Sequence, residues 1–283
     1  MALLGAVEIR ALAASLDLKP AKALGQNFVI DANICRKIVR LAGVTSTDVA
    51  LEIGPGLGSL TLALLDEAAS VVAIEIDSRL ANQLPATASR HSTRSAHLTV
   101  LNEDALRVNH LPQAPTVLVA NLPYNISVPV LLHYLEKFPT IRSGIVMVQA
   151  EVADRLVARP GSKDYGIPSV KAAWWAKMSQ AGTVSRSVFW PTPNVDSKLV
   201  GFERRATPGD ENLRLQTFAA IDAAFSQRRK MLRSVLKNWL GSSEVTESVL
   251  AKAGIDPTLR GEALVIDHYV AIAHAAFELG IGF

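Results

Sequence analysis

Four short stretches combine residue types and spacing that can do chemistry. They are Gly54, Gly56 and Gly58 in "LEIGPGLGSLT", Glu75 in "VVAIEID", Asp104 in "LNEDAL", and Asn121-Leu122-Pro123-Tyr124 in "TVLVANLPYNIS". Glycines at a strand-to-helix turn let the backbone bend sharply and let a ligand come close, and the next helix offers unpaired amides. The spacing Gly-x-Gly-x-Gly is one residue tighter than the fingerprint that cradles a pyrophosphate, which disfavours a dinucleotide. A carboxylate at the end of the following strand can accept both hydroxyls of a ribose. Asp104, one strand later, can accept from an adenine amino group. Together these positions suit a ligand that carries adenosine without phosphates, and S-adenosylmethionine fits that description. The alternative is that the glycine turn merely closes a strand–helix connection and each acid caps the next helix. Three such features at ordered positions weigh against it.

The fourth stretch then delivers an amide, a proline and a tyrosine beside the sulfonium such a site would hold. The exocyclic amine of adenine is a poor nucleophile, because its lone pair is delocalised into the ring. Carbonyl acceptors offer a way round this: the Asn121 side-chain oxygen and the Leu122 backbone oxygen can accept the two amino hydrogens and localise the lone pair on nitrogen. Pro123 removes a competing donor and stiffens the turn, while Tyr124 can stack on the base and favour the developing positive charge. The competing reading is a proline turn in which Asn121 bonds its own backbone and Tyr124 fills core.

These residues need a scaffold that brings strand ends together. Short β-branched runs, "VALEIG", "SVVAIEID", "LTVLNED", "TVLVANLP" and "GIVMVQ", alternate with helix-period segments such as "LGSLTLALLDEA", "DSRLANQLPATA" and "SVPVLLHYLEK". That alternation predicts a parallel α/β sheet covered on both faces. Later, "GTVSRSVFW" and "KLVGFERR" flank the proline-rich "PTPNVDS", which predicts an antiparallel hairpin on the sheet edge. Pro208, Gly209 and Asp210 then punctuate the chain before a purely helical remainder. The expected domains are therefore residues 1–206, with an amphipathic N-terminal helix, and an all-helical domain over 207–283. Ser242 or Ser243 is a candidate helix cap there and Gly254 a C-terminal stop.

Composition bounds the rest. The chain has 283 residues, of which 49% are hydrophobic and 19% charged, and its apolar runs are too short and too interrupted for a membrane span. A single cysteine, Cys35, cannot form an internal disulfide, and six histidines lack metal-ligand spacing, so a reducing cytoplasm and no structural metal are expected. No interface pattern is legible, and a monomer is the default expectation.

The chain resembles the small-subunit ribosomal RNA adenine N6,N6-dimethyltransferases along nearly its whole length. The resemblance rests on eight ordered blocks: "LGQNFVID", "LEIGPGLGSLT", "IEID", "NEDAL", "NLPYNIS", "VQAEVADRL", "VFWPTPNVDSK" and "AFSQRRKML". It implies a Rossmann-like class I methyltransferase fold that uses S-adenosylmethionine, with cofactor contacts at Asn27, Val29, Gly54, Glu75, Asp104 and Asn121. It also implies that Asn121, Leu122 and Tyr124 hold the target amine and that Phe189 closes on the other face of the adenine. Without the resemblance, Phe189 reads as a core residue at a strand end. The implied substrate is a pair of neighbouring adenines near the 3′ end of small-subunit rRNA, met in an immature 30S particle. Two other functions compete: a large-subunit adenine methyltransferase of the macrolide-resistance type, and a small-subunit assembly factor that methylates little.

A net charge of +3 is too mild to announce nucleic acid, but its distribution is uneven. Arg228, Arg229, Lys230, Arg233 and Lys237 fall within ten residues that contain no acid. As one helix, this segment places Arg229, Arg233 and Lys237 on a single face and turns Met231, Leu232, Val235 and Leu236 inward. Phosphate binding is one reading of that face, a solvated charge run the other; its position after the catalytic domain and the family likeness favour RNA. Lys22, Arg36, Lys37 and Arg40 are candidates to extend the patch.

Overall fold

Burial on both faces explains the apolar runs. Strands β2 (Val49–Ile53), β3 (Ser70–Ile74) and β5 (Val117–Asn121) hold side chains that are almost entirely removed from solvent, as parallel strands sandwiched between helices must. The computed structural model describes residues 3–18 and 27–281, so Lys22 and the first residues of "LGQNFVID" lie outside the described residues. It divides into two compact units: Met1–Ala153 with Met178–Arg204, and Asp154–Lys177 with Arg205–Phe283.

The first unit begins with α1 (Ala6–Ser15), β1 (Phe28–Val29) and α2 (Ala32–Leu41), the last capped by Asp31, whose carboxylate accepts from the amides of Asn33 and Ile34. After β2 come α3 (Ser59–Glu67), β3, α4 (Ser78–His91), β4 (Leu98–Leu101), β5, α5 (Ser127–Lys137) and β6 (Ser143–Gln149). The chain continues through α6 (Ala150–Val157), α7 (Ile167–Ala172), β7 (Ala176–Val184), β8 (Phe189–Trp190) and β9 (Ser197–Arg204). One seven-stranded sheet runs in the order β4-β3-β2-β5-β6-β9-β7. Neighbours from β4 to β6 pair in parallel, and β9 pairs antiparallel with β6. Winding reverses between β2 and β5, and a doubly wound sheet opens its ligand crevice at the carboxyl ends beside such a reversal.

At the opposite end of the sheet, Asp48 is 2% exposed and clamps three segments. Both its carboxylate oxygens accept from the Arg142 guanidinium, at 2.5 and 3.0 Å, and one also accepts from the Thr116 hydroxyl. Arg204 donates to the carbonyls of Leu135, Phe138 and Ile141, closing the C-terminal end of α5.

The expected hairpin is corrected in its first strand. Only residues 182–184 of "GTVSRSVFW" lie in the sheet, at the end of edge strand β7, and β9 lies inside that edge. Ser185 caps a short 3-10 turn over Arg186–Val188, and β8 leaves the sheet to pair antiparallel with β1.

The second unit is helical: α7, then α8 (Glu211–Phe225), α9 (Leu232–Val235), α10 (Lys237–Leu240), α11 (Ser243–Lys252) and α12 (Ile266–Glu278). It includes residues 154–177, which a boundary at 206/207 leaves out. The reason is packing: Trp174 and Trp175 meet Phe218 edge-on at 6.1 and 5.4 Å, and the Tyr165 hydroxyl donates to the Leu264 carbonyl. Ser242 caps α11, and Gly254 follows it at φ 69°. The single basic helix expected over 228–237 is also corrected. Residues 226–230 form turns, and the amides of Leu232 and Arg233 donate to the carbonyls of Leu259 and Pro257, so no helix passes through Met231. Leu232, Val235 and Leu236 are buried as expected, but Met231 is 40% exposed.

Candidate active site

The glycine turn after β2 is built for close approach. Gly54, Gly56 and Gly58 have φ of 69°, 58° and 100°, in the left-handed region that side chains disfavour. A Cβ on Gly56 would also stand 2.9 Å from the Phe28 ring. The loop therefore presents bare backbone to a cleft that runs along the carboxyl ends of β2 to β5. Asn27, Phe28, Val29, Gly54, Gly56, Glu75, Asp104, Asn121 and Pro123 all line it. Thus the glycine turn, the two acids and the amide, read separately from the sequence, share one cavity.

Glu75 is 5% exposed, and its two carboxylate oxygens accept from the amides of Gly56 (3.1 Å) and Asp77 (3.0 Å). Burial raises its pKa, and those amides pull it back. They also orient the carboxylate, whose remaining lone pairs can accept ribose hydroxyls. Asp104 accepts from the Leu106 amide at 3.0 Å, so it caps its own turn while lining the cleft. Ile76, missed in the sequence, also lines the cleft and is 54% exposed, an apolar wall suited to the face of a base. Val29 is on the wall, but its carbonyl already accepts from the Ser59 hydroxyl at 2.7 Å.

Asn121 ends β5 with its side chain aimed in a defined way. Nδ2 donates to the Asn27 carbonyl at 3.1 Å, which fixes the amide plane, and Oδ1 is buried with no hydrogen-bond partner among the described residues. A buried acceptor without a protein partner costs stability, and such orphans occur where a ligand is to supply the donor. The Leu122 amide donates to the Met147 carbonyl, and Pro123 packs 3.7 Å from the position of a Cβ on Gly54. Tyr124 is held by a 2.8 Å hydrogen bond to Ser197, the first residue of β9. Burial raises the Tyr124 pKa and Ser197 offsets this in part, which keeps the phenol neutral. The "NLPY" and "PNVDS" stretches thus converge, a contact that no local pattern encodes.

Register places Phe189 opposite Val29 in the β1–β8 pair, and at 2% exposure its ring lies in the hydrophobic core; like Leu122 and Tyr124, it is not among the residues that line the cleft. Trp190, the next residue, stacks instead on Phe28, with ring centroids 6.2 Å apart. Glu52 was missed altogether; the signal was an acid inside the otherwise apolar "VALEI". It lines the cleft at 1% exposure.

In the helical unit, Arg229, Lys230, Arg233 and Lys237 are exposed. Arg228 is tied down: it pairs with Glu262 at 2.6 Å and donates to the Ser162 carbonyl. In the first unit, Arg36 and Arg40 are exposed on α2 and Lys37 is half-buried.

A parallel sheet reversing between β2 and β5, an antiparallel strand beyond β6, and an acid-lined cleft at the strand ends define a Rossmann-like class I methyltransferase. The model of one family, ribosomal RNA adenine dimethylase, matches residues 18–276, and the chain belongs to that family. It is 58% identical over 273 residues to ribosomal RNA small subunit methyltransferase A of Leifsonia xyli, covering 96% of this chain and 98% of the relative. It is 55% identical over 275 residues to the protein of the same name from Streptomyces coelicolor, covering 96% of each. Among solved structures, a dimethyladenosine transferase from Plasmodium falciparum superposes with a TM-score of 0.77 at 25% identity, over 90% of this chain and 99% of that one. The 23S rRNA methyltransferase ErmE gives 0.65 at 25% identity, over 88% and 98%. Among the described residues, no helix is long and apolar enough to cross a membrane.

Proposed function

We propose that the protein transfers methyl groups from S-adenosylmethionine to N6 of two adjacent adenines near the 3′ end of small-subunit rRNA, giving N6,N6-dimethyladenines in an immature 30S particle. The observation that carries the reading is the buried Asn121 Oδ1 at the end of β5, without a hydrogen-bond partner among the described residues and oriented by the Asn27 carbonyl. The names of the relatives, small-subunit methyltransferases at 55–58% identity, support the choice of subunit.

The cleft suits the methyl donor: Glu75 for the ribose, Asp104 for the adenine amine, Ile76 for the base face, and the bare backbone at Gly54 and Gly56 for close approach. When bound, the sulfonium supplies an electrophilic methyl group. Asn121 Oδ1 and the Leu122 carbonyl accept the hydrogens of the target amine, drawing its lone pair out of the ring and toward the methyl carbon. Bound S-adenosylmethionine would give up the methyl group and retain the C–S bonding pair as a neutral thioether, and the target nitrogen would shed one proton to water. Tyr124, anchored by Ser197, holds the flipped base and its aromatic face favours the passing positive charge. The monomethylated amine keeps one hydrogen, so a second round uses the same acceptors. Arg229, Lys230, Arg233 and Lys237, with Arg228 beside Glu262, supply the phosphate-binding surface of the helical unit.

The test supplies labelled methyl donor with undermethylated small subunits, large subunits or duplex DNA. Label is expected in small subunits as dimethyladenine. Label confined to large subunits or DNA would overturn the substrate assignment, and particle binding without label would leave an assembly factor.

A further inference from the structure

The cleft contains a second buried carboxylate that methyl transfer, as described above, gives no task. Glu52 stands in β2, lines the cleft and is 1% exposed. An ionised carboxylate in such a place requires a compensating cation. Among the described residues, the groups that bear on it come from three elements. Thr61 of α3 donates its hydroxyl to Oε2 at 2.6 Å, Glu75 at the end of β3 adds like charge, and Cys35 of α2 is a buried thiol whose own pKa Glu52 helps to raise. None of the three is a cation. Burial, reinforced by Glu75 and only partly offset by Thr61, pushes the Glu52 carboxyl up to about 8.

Glu52 and Glu75, both buried, line a cleft that Glu103 and Asp104 line as well, and with no basic side chain among the described lining residues the four acids form a receptor for positive charge. A cation entering the cleft would stabilise the ionised form of Glu52, so the proton held in its absence would leave. We infer that Glu52 carries a proton in the ligand-free cleft and releases it to solvent when the cationic methyl donor binds, so that donor binding is coupled to deprotonation of this side chain. The coupling presupposes that S-adenosylmethionine occupies this cleft. Linkage gives its sign: below the free-state pKa, the proton must be removed before the favourable charge pair can form. Donor affinity therefore rises with pH, by up to about tenfold per unit, and levels off above about pH 8. Adenosine, which has neither sulfonium nor ammonium, takes no part in the coupling.

The experiment is calorimetric titration of the full chain with S-adenosylmethionine and with adenosine between about pH 6 and 8.5, in two buffers of different ionisation enthalpy. The wild type is compared with Glu52→Gln and Thr61→Val. For the wild type, donor affinity is expected to climb toward about pH 8 with a buffer-dependent heat from the released proton. In Glu52→Gln, only the ligand's own ammonium titration remains. Thr61→Val, which removes the hydroxyl that favours the carboxylate, moves the inflection to higher pH. Adenosine affinity stays flat. A pH-independent donor affinity in the wild type, an unchanged slope in Glu52→Gln, or an unmoved inflection in Thr61→Val would each overturn the coupling. Should Glu52→Gln fail to fold, the Thr61→Val inflection decides. Absence of donor binding at every pH would reject the cofactor assignment as well, whereas pH-independent binding rejects only the proton coupling.

Discussion

Replacing Asn121 with alanine separates catalysis from stability, because the two halves of its amide contribute to folding with opposite sign. Nδ2 donates to the Asn27 carbonyl at 3.1 Å, a neutral hydrogen bond worth about 1 kcal/mol net. Oδ1 is buried without a partner among the described residues, at a desolvation cost of roughly 1–3 kcal/mol that alanine removes. The two contributions oppose each other, so Asn121→Ala is expected to change stability by less than about 2 kcal/mol, and Tm by no more than about 8 °C for a chain of this size. The effect on methyl transfer has no such offset. An acceptor positioned for charge that develops only in the transition state is worth about 10²–10³ in kcat, or about 2.7–4 kcal/mol. Single-turnover transfer to undermethylated small subunits at saturating donor measures this step, with thermal unfolding and particle binding followed in parallel. The expected outcome is a rate reduced at least about a hundredfold with particle binding retained. A rate within about tenfold of wild type would refute the acceptor role, and a large Tm fall that accounts for the slower transfer would make Asn121 a structural residue.

The glycine turn, the Asp48 clamp and the basic surface each make a further outcome measurable. Gly56→Ala places a Cβ 2.9 Å from Phe28 on a backbone at φ 58°, at a conformational cost of about 1–2 kcal/mol, and should weaken donor binding at least about tenfold by calorimetry. Unchanged affinity would mean the turn does not approach the ligand. The Arg142 guanidinium holds the Asp48 carboxyl well below the usual carboxylate range, with Thr116 and Thr45 helping against burial. Because the folded-state pKa is depressed, the clamp's stabilisation is fully present above the unfolded-state value of about 4 and is lost as pH falls toward the folded-state value. Asp48→Asn should lower stability near neutral pH by about 1–2 kcal/mol, allowing for solvent screening at the half-exposed Arg142, and flatten the acid limb of a denaturation series; an identical acid limb would refute it. Arg229→Glu with Arg233→Glu should weaken RNA binding and flatten the slope of log K against log salt by about one for each phosphate that is no longer neutralised, and an unaltered slope would mark these charges as a solvated surface.

What the sequence by itself determined is local in origin. The β-branched runs that became β2 to β6, the left-handed glycines at 54, 56 and 58, and the terminal positions of Glu75, Asp104 and Asn121 are written in neighbouring residues, because burial on two faces and positive φ each restrict residue type directly. Since parallel strands place their carboxyl ends on one side, those strand-end residues were bound to share a cleft. What only the tertiary structure decided depends on partners far apart in the chain. Asn121 is oriented by Asn27, 94 residues away, and Tyr124 is anchored by Ser197, 73 residues away. The basic segment breaks at Met231 because Leu259 and Pro257 claim the amides that a continuous helix would use. Phe189 is drawn into the core by its pairing with Val29, and Trp174 and Trp175 join the helical unit by packing on Phe218. Glu52 was visible as an anomalous acid in an apolar strand, but the burial and the neighbouring Glu75 that raise its pKa exist only once the sheet and helices have closed around it.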